Sequence, residues 1–224
     1  MGDEPRIRVL CWSERTEPAS VYPKGINGAI ANHLAQDSLL DVATASIDDA
    51  EQGIGRRALA AIDVLVWWGH ARHNDVANER VNGVVREIRE RGLGFIALHS
   101  AHFSKIFKTL HGTPCSLGDW RNEAGPEHLK CVAPAHPIAR GLKDFTIPET
   151  EMYNEPFLVP PPSKTIFYSY WDSGEQFRSC SVWNAGEGRV VYFRPGHESF
   201  PIYFQNEPLR VILNSVYWCA RRSG

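Results

Sequence analysis

The 224-residue sequence predicts an α/β fold with a mostly parallel central sheet and helices on both of its faces. In the first half, short apolar runs alternate with amphipathic stretches in the order β-α-β-α-β-α-β-α, which is typical of parallel strands joined by right-handed crossovers. The second half adds strands separated by glycine-containing turns, including a hairpin at NAGEG, residues 184–188. A chain of this length builds one sizeable core, so we expect a single domain over residues 1–224.

Each predicted element follows from its own hydrophobic pattern. In the first half we predict strands at Arg6–Trp12, Leu40–Ile47, Asp63–Trp68 and Phe95–Leu98, and helices at Ile26–Leu34, Arg57–Ile62, Asn78–Arg91 and from about Ala101. In the second half we predict strands at residues 128–133, Lys164–Trp171, Phe177–Trp183 and residues 189–193, and a closing helix at Leu209–Ala220.

Composition excludes several classes of protein. A net charge of −2 offers no electrostatic basis for binding nucleic acid or an anionic membrane. The first residues lack the basic and long apolar segments of a signal peptide or membrane span, so we expect a cytoplasmic protein. The five cysteines are widely spaced and form no C-x-x-C pair, which argues against a disulfide framework or a cysteine zinc site.

The stretch Gly94–Phe107 is the centre of the prediction, because a buried strand runs there into a helix through a polar junction. His99, Ser100 and His102 lie at the junction, and ligands of open α/β sheets bind beyond the carboxyl ends of the strands. The positive end of the next helix favours neutral imidazole, the form that binds metals or accepts protons. The alternative is that both histidines only pack against the turn or cap it.

Other polar residues follow predicted strands and belong to the same rim. Gly69 and His70 follow the third strand, and His197 follows residues 189–193. Glu151, Tyr153 and Glu155 project from one face if their segment is extended. We predict that the catalytic residues are His99, His102, His197, Glu151 and Glu155. The predicted metal ligands are His70, His99, His197 and Glu155. The predicted substrate contacts are Trp12, Tyr22, Asn27, Gly69, Ser100, Tyr153 and Arg194.

Two chemistries fit these residue types. Three imidazoles and one carboxylate suit a divalent ion such as zinc or manganese. The rival is metal-free catalysis in which a histidine takes a proton and a glutamate returns it. A nucleophilic serine is less well supported, because the residues around Ser100 lack the G-x-S-x-G pattern. Cys115, the one cysteine in a polar loop near the junction, is a weak candidate for a catalytic thiol.

Four stretches together resemble the ThuA-like (trehalose utilisation) family of the class I glutamine amidotransferase-like superfamily. They are DVLVWWGH, LHSAHFSKIFKTLHGTPC, EMYNEPF and VVYFRPGHESFP. The resemblance implies a flavodoxin-like domain with added strands in the second half, and a role in bacterial catabolism of trehalose, sucrose and related sugars. It also implies a pathway partner, a sugar dehydrogenase that makes 3-keto sugars.

The same resemblance bears on individual residues. Against the amidotransferase pattern G-x-C-x-G-H, His99 stands at the nucleophile position, so hydrolysis of glutamine by a thiol should be absent. Gly69 would fall where amidotransferases place their oxyanion hole, and the amidotransferase F-H-P-E segment is altered at Arg194. Asn27 stands where family members tend to carry histidine in Y-P-x-G-x-H.

We therefore expect a metal-assisted enzyme acting on a disaccharide or keto-sugar, without amidotransferase activity. The alternative is a non-catalytic sugar-binding or regulatory module on a degenerate amidotransferase fold. A homo-oligomer is a further expectation, because the aromatic-rich second half offers apolar surface.

Overall fold

The computed structural model of the protein describes residues 5–122 and 125–222. Its strands are β1 (Ile7–Ser13), β2 (Leu40–Ser46), β3 (Val64–Trp68), β4 (Gly94–Leu98), β5 (Asp119–Arg121), β6 (Glu127–Cys131), β7 (Phe145–Ile147), β8 (Met152–Asn154), β9 (Lys164–Tyr170), β10 (Gln176–Ala185) and β11 (Gly188–Phe193). Its α-helices are α1 (Gly25–Leu34), α2 (Arg56–Ala60), α3 (Asn78–Arg86), α4 (Lys105–His111) and α5 (Asn206–Cys219).

Nine of the strands form one sheet in the order β2-β1-β3-β4-β11-β10-β9-β6-β7. The five strands from β2 to β11 are parallel to one another, and the four from β10 to β7 continue the sheet in antiparallel fashion. The hairpin predicted at residues 184–188 joins β10 to β11. The predicted α/β class with a large, mostly parallel sheet and added strands is thus confirmed.

The central parallel strands are apolar along their whole length because both of their faces are covered. Every residue of β3 and β4 is buried. Residues of α1 and α5, such as Ile30 and Val211, pack on one face of the sheet. Residues of α3 and α4, such as Val84 and Phe107, pack on the other face.

The junction after β4 differs from the prediction of a helix starting at about Ala101. The chain first makes a 3₁₀ turn over His99–Phe103, and Ser104 then caps helix α4 by accepting a hydrogen bond from the Phe107 N–H at 3.1 Å. Serine is a preferred cap because its hydroxyl satisfies a backbone donor of the first turn. The extra turn keeps His99 at the strand end and sends His102 toward the protein interior, where it is fully buried.

In the second half the periodicity missed two short strands, β5 and β7, which have only three residues each. The predicted extended segment from Glu151 to Glu155 is a strand only over its middle, as β8, and it pairs with β5 in a separate two-stranded sheet. Three residues are too few for an alternating pattern to be distinguished from a loop. Over residues 5–122 and 125–222, no helix combines the length and apolar character needed to cross a bilayer.

Candidate active site

Three histidines meet where three neighbouring parallel strands end. His70 follows β3, His99 follows β4 and His197 follows β11, and these strands are adjacent in the sheet. The ring centroids lie 5.1 Å apart for His70 and His99, 5.0 Å for His70 and His197, and 5.4 Å for His99 and His197. The sheet order therefore brings together imidazoles as far apart in sequence as His70 and His197.

A cavity of about 270 Å³ opens beside these rings, and we call it the histidine pocket. Its lining consists of His70, Ser100, Phe103, Leu117, Trp120, Asn122, Glu151, Tyr153 and His197. His99 lies beneath this lining with no exposed surface, against His70 and His197. The pocket thus has polar groups at its base and aromatic and aliphatic side chains around them, as small-molecule sites commonly do.

His99 has an unusual backbone and an unpaired ring. Its φ of 56° lies in the left-handed region, which non-glycine residues rarely adopt outside turns and functional sites. Neither ring nitrogen has a hydrogen-bond partner among the residues that the structure describes, and the ring is stacked near Trp68 and Tyr153. Burial, together with the nearby His70 and His197, holds the pKa of His99 well below its usual value. His99 is therefore a neutral imidazole with unused hydrogen-bonding capacity.

Glu151 is the carboxylate of the histidine pocket. Its side chain is almost fully buried, and its Oε2 lies 3.5 Å from Nε2 of His99 with no hydrogen-bond partner in residues 5–122 and 125–222. Burial raises the pKa of Glu151 to about 7, against the opposing influence of Arg194 and His70. The group can therefore both give and accept a proton near neutral pH, which is the property that general acid–base catalysis requires.

His70, which also lines the pocket, forms an ion pair with Glu198. Nδ1 of His70 lies 2.6 Å from Oε1 of Glu198. Burial lowers the pKa of His70, but the hydrogen bond to Glu198 and its negative charge outweigh burial and raise the pKa. Beside this pair, burial lowers the pKa of His197, and Nδ1 of His197 accepts a hydrogen bond from the Ser199 N–H at 3.1 Å.

The ion pair and the neighbouring His197 offer a set of ligand atoms that suits a divalent cation. One ligand atom each from His70, His197 and Glu198 lies within 4.8 Å of the other two, and Oε2 of Glu198 is buried and has no hydrogen-bond partner within the described part of the chain. Two imidazoles and one carboxylate form a donor set common to zinc and other divalent metals. The sequence prediction named Glu155 as the carboxylate ligand. In the structure Glu155 instead binds Arg178, at 2.7 and 2.9 Å, and does not line the pocket.

Glu14 fixes the backbone that carries His70. Oε2 of Glu14 accepts hydrogen bonds from three consecutive N–H groups, those of His70 at 2.8 Å, Ala71 at 2.8 Å and Arg72 at 2.7 Å. A Cβ at Gly69 would meet Oε1 of Glu14 at 2.8 Å, so a side chain there would push the Glu14 carboxylate out of its present position. The amides next to Gly69 are thus bound by the protein's own carboxylate, whereas an oxyanion hole would leave them free for a ligand.

Arg194 supports Glu151 from behind the pocket. Its fully buried guanidinium pairs with Glu127 and donates a hydrogen bond to the carbonyl oxygen of Glu151 at 2.5 Å. Ser169 also donates a hydrogen bond to Glu127. Arg194, predicted as a substrate contact, therefore does not line the pocket and instead positions the backbone of Glu151.

Nearly the whole chain matches one known protein family. The sequence profile of the ThuA family, described as trehalose utilisation, matches residues 8–219. The chain belongs to the ThuA family. No curated protein sequence matches the chain.

Solved structures share the fold at low sequence identity. A thua-like protein from Bacteroides uniformis is 12% identical, with a TM-score of 0.69 over 98% of this chain and 93% of that one. A cytoplasmic protein from Salmonella typhimurium is 13% identical, with a TM-score of 0.62 over 95% and 99%. A glutamine amidotransferase from Thermotoga maritima is 9% identical, with a TM-score of 0.56 over 97% and 99%. These neighbours support the expected glutamine amidotransferase-like fold.

Several residues predicted for the site of this ThuA family member lie elsewhere. His102 is fully buried among aromatic rings with Nδ1 2.6 Å from the carbonyl oxygen of Cys115, and burial lowers its pKa to about 3. Trp12 stacks on Trp67 at 3.6 Å in the core. Tyr22 is buried and its hydroxyl donates to the carbonyl oxygen of Phe200 at 2.7 Å.

Asn27 is also buried away from the pocket. Its amide donates to the carbonyl oxygen of Ala45 at 2.8 Å, and its side-chain oxygen accepts from the Gly28 N–H at 2.9 Å. Asn27 therefore fixes helix α1 against the end of β2. In contrast, Ser100 and Tyr153 do line the pocket, and their hydroxyls are hydrogen-bonded to each other at 2.6 Å.

Sequence reasoning missed Phe103, which lines the pocket, and four other polar or aromatic residues of the site. Glu198 directly follows His197, so an acidic neighbour past a strand end was an available signal. Glu14 follows β1 in the same way. Trp120 and Asn122 lie in a glycine-rich polar stretch whose pairing with β8 is not visible in any periodic pattern.

Proposed function

We propose that this ThuA family member is a carbohydrate-metabolising enzyme that acts on a disaccharide or keto-sugar in the histidine pocket, by moving a proton on a carbon next to a carbonyl group. The observation that carries the proposal is the pairing of Glu151, whose pKa is raised to about 7, with the neutral and otherwise unpaired His99 at 3.5 Å. Groups with perturbed pKa values that meet in one cleft are the usual sign of acid–base chemistry.

The chemistry begins at Glu151. As a carboxylate, Glu151 takes a proton from the carbon beside the sugar carbonyl; the C–H electron pair forms a C=C bond, and the carbonyl π pair moves to oxygen. Return of the proton to the former carbonyl carbon, while the proton of the neighbouring hydroxyl passes to the first oxygen, gives an isomer with the carbonyl moved by one carbon. In elimination, the oxygen electron pair re-forms the carbonyl and the enolate C=C pair forms a new C=C bond to the next carbon. The substituent on that carbon then leaves with its bonding pair and takes the proton held by Glu151. The lowered pKa of His99 keeps its imidazole neutral, so His99 does not hold Glu151 in a permanent ion pair; its Nε2, 3.5 Å from Oε2 of Glu151, can instead accept the proton that Glu151 has taken and return it.

In this mechanism His70 holds the carbonyl oxygen. His70, whose pKa is raised by Glu198, can donate a hydrogen bond to an oxygen on which negative charge develops. We further propose, as the alternative to this hydrogen bond, that His70, His197 and Glu198 hold a divalent cation, zinc or manganese, which would supply Lewis acidity to the same carbonyl oxygen in place of the His70 N–H. The hydroxyls of Ser100 and Tyr153 then remain to orient the sugar.

The test is turnover of a 3-keto disaccharide, followed by NMR in D₂O so that both product and solvent exchange are seen. The variants are His99→Ala, His99→Asn and Glu151→Gln, with Glu155→Gln as the matched control outside the pocket. Asparagine tolerates a left-handed backbone better than most residues, so His99→Asn separates loss of the imidazole from loss of the fold.

We expect the three pocket variants to lose at least about 100-fold in turnover, the usual contribution of general acid–base catalysis, and Glu155→Gln to keep it. Full activity of His99→Asn would contradict the proposal. If the wild type neither turns over the keto-sugar nor exchanges deuterium into it, the alternative of a non-catalytic sugar-binding module is favoured.

Metal analysis of the purified protein tests the cation. Stoichiometric zinc or manganese in the wild type, with less metal in His197→Ala, supports the cation. A protein that is fully active without metal contradicts the cation and supports the metal-free acid–base mechanism. We also propose a cytoplasmic location, supply of the keto-sugar by a sugar dehydrogenase, and assembly into a homo-oligomer.

A further inference from the structure

Trp120 stands out as an aromatic side chain exposed at the edge of a polar pocket. Its side chain is 57% exposed, yet it lines the histidine pocket together with Glu151 and Tyr153. In the β5–β8 ribbon Trp120 lies directly opposite Tyr153, so both side chains project from the same face. The indole is therefore at the mouth of the pocket, while the Tyr153 ring is within it.

The backbone beneath this indole is well anchored. On the other face of the ribbon, Arg121 pairs with Glu175 and donates a hydrogen bond to Ser173 Oγ at 2.6 Å. The Gly118 N–H donates to the carbonyl oxygen of Asn154 at 2.9 Å. More than half of the Trp120 side chain stays exposed while it lines the pocket, so its indole face is available to contact a ligand held there.

The size of the pocket limits how much of a ligand it can enclose. At about 270 Å³ the cavity is below the usual range of roughly 300–1,000 Å³ for sites that enclose a drug-sized molecule. A cavity of this size is large enough for one sugar ring near Glu151, so a second ring would have to lie outside, over the mouth. The C–H face of a sugar ring is apolar and flat, and it packs well on an indole face.

We propose that Trp120 determines specificity by stacking on the second ring of a glycoside, so that the protein prefers a two-ring sugar to a monosaccharide. The amide of Asn122, which also lines the pocket, is placed to hydrogen-bond the hydroxyls of that ring. This inference rests on the proposed function, because it assumes that the first ring occupies the histidine pocket.

The experiment compares the binding of trehalose and methyl α-glucopyranoside by ligand-observed NMR titration. The variants are Trp120→Ala and Trp120→Phe, and Phe204→Ala is the matched control, since Phe204 is 56% exposed and does not line the pocket. Thermal unfolding of each variant checks the fold, which an exposed substitution should leave intact.

We expect Trp120→Ala to weaken trehalose binding about five- to tenfold, from loss of one stacking contact. Trp120→Phe should lose less, Phe204→Ala should match the wild type, and methyl glucoside should bind all four proteins equally. An equal loss for both sugars, or no loss for trehalose, overturns the inference and leaves the proposed function standing. Failure of the wild type to bind either sugar, together with its inactivity on the 3-keto disaccharide, overturns both.

Discussion

The raised pKa of Glu151 makes a sharp prediction about stability. The folded carboxyl titrates near 7, whereas the same group in the unfolded chain titrates near 4.5. Between these pH values the folded protein keeps a proton that the unfolded chain has released, so the free energy of unfolding falls as the pH rises through this window. A shift of this size corresponds to about 3 kcal/mol.

The perturbation is Glu151→Gln, which keeps the shape of the side chain and removes its titration. The assay is urea unfolding of both proteins at half-unit intervals from pH 4.5 to pH 8. We expect the stability of the variant relative to the wild type to rise by about 3 kcal/mol from the lowest to the highest pH. Titration of groups that do not interact with Glu151 cancels in this difference.

Glu155→Gln is the matched control, four residues further along the chain. The hydrogen bond and charge of Arg178 outweigh burial and lower the pKa of Glu155, so its contribution to stability is complete above pH 4.5 and is lost only below it. The cost of Glu155→Gln should therefore stay constant from pH 5 to pH 8. A Glu151→Gln difference that is equally flat would refute the assignment of Glu151 as the proton-exchanging group.

Three further predictions concern the surroundings of the pocket. Glu14→Ala should lower the free energy of unfolding by about 3 kcal/mol or more, because three N–H groups beginning at His70 lose their acceptor, and urea unfolding measures it. Trp12→Ala should cost about 3–5 kcal/mol in the same assay because it removes half of the stack with Trp67, while sugar binding by the folded fraction stays unchanged. In the native protein a thiol reagent should label Cys131 first, since the other four cysteines are buried, and mass spectrometry of the labelled peptides would show a different order if their burial is wrong.

The sequence was sufficient for the parallel half of the fold because its strands are buried on both faces and its helices are amphipathic. β3 and β4 carry unbroken apolar runs, and their ends agree with the predicted ends to within a residue. The same reasoning located His70, His99 and His197 at one rim, because the carboxyl ends of parallel strands lie at the same edge. The approximate position of the pocket thus follows from strand direction alone.

Side-chain partners could not be predicted in this way. Glu155 and Glu151 are separated by one short strand, yet one binds Arg178 and the other lies beside His99. The 3₁₀ turn after β4 turned His102 inward, although it lies only three residues from His99. Such choices depend on contacts between segments far apart in sequence, and a periodic pattern carries no record of them.

The central claim is that a sugar carbonyl binds between Glu151 and the His70 wall of the histidine pocket. The most direct measurement is a crystal structure of Glu151→Gln soaked with a 3-keto disaccharide. The account predicts density for one ring within the pocket, with its carbonyl oxygen toward His70 and the carbon beside it facing residue 151. Density for the sugar at another surface, with the histidine pocket empty, would contradict it.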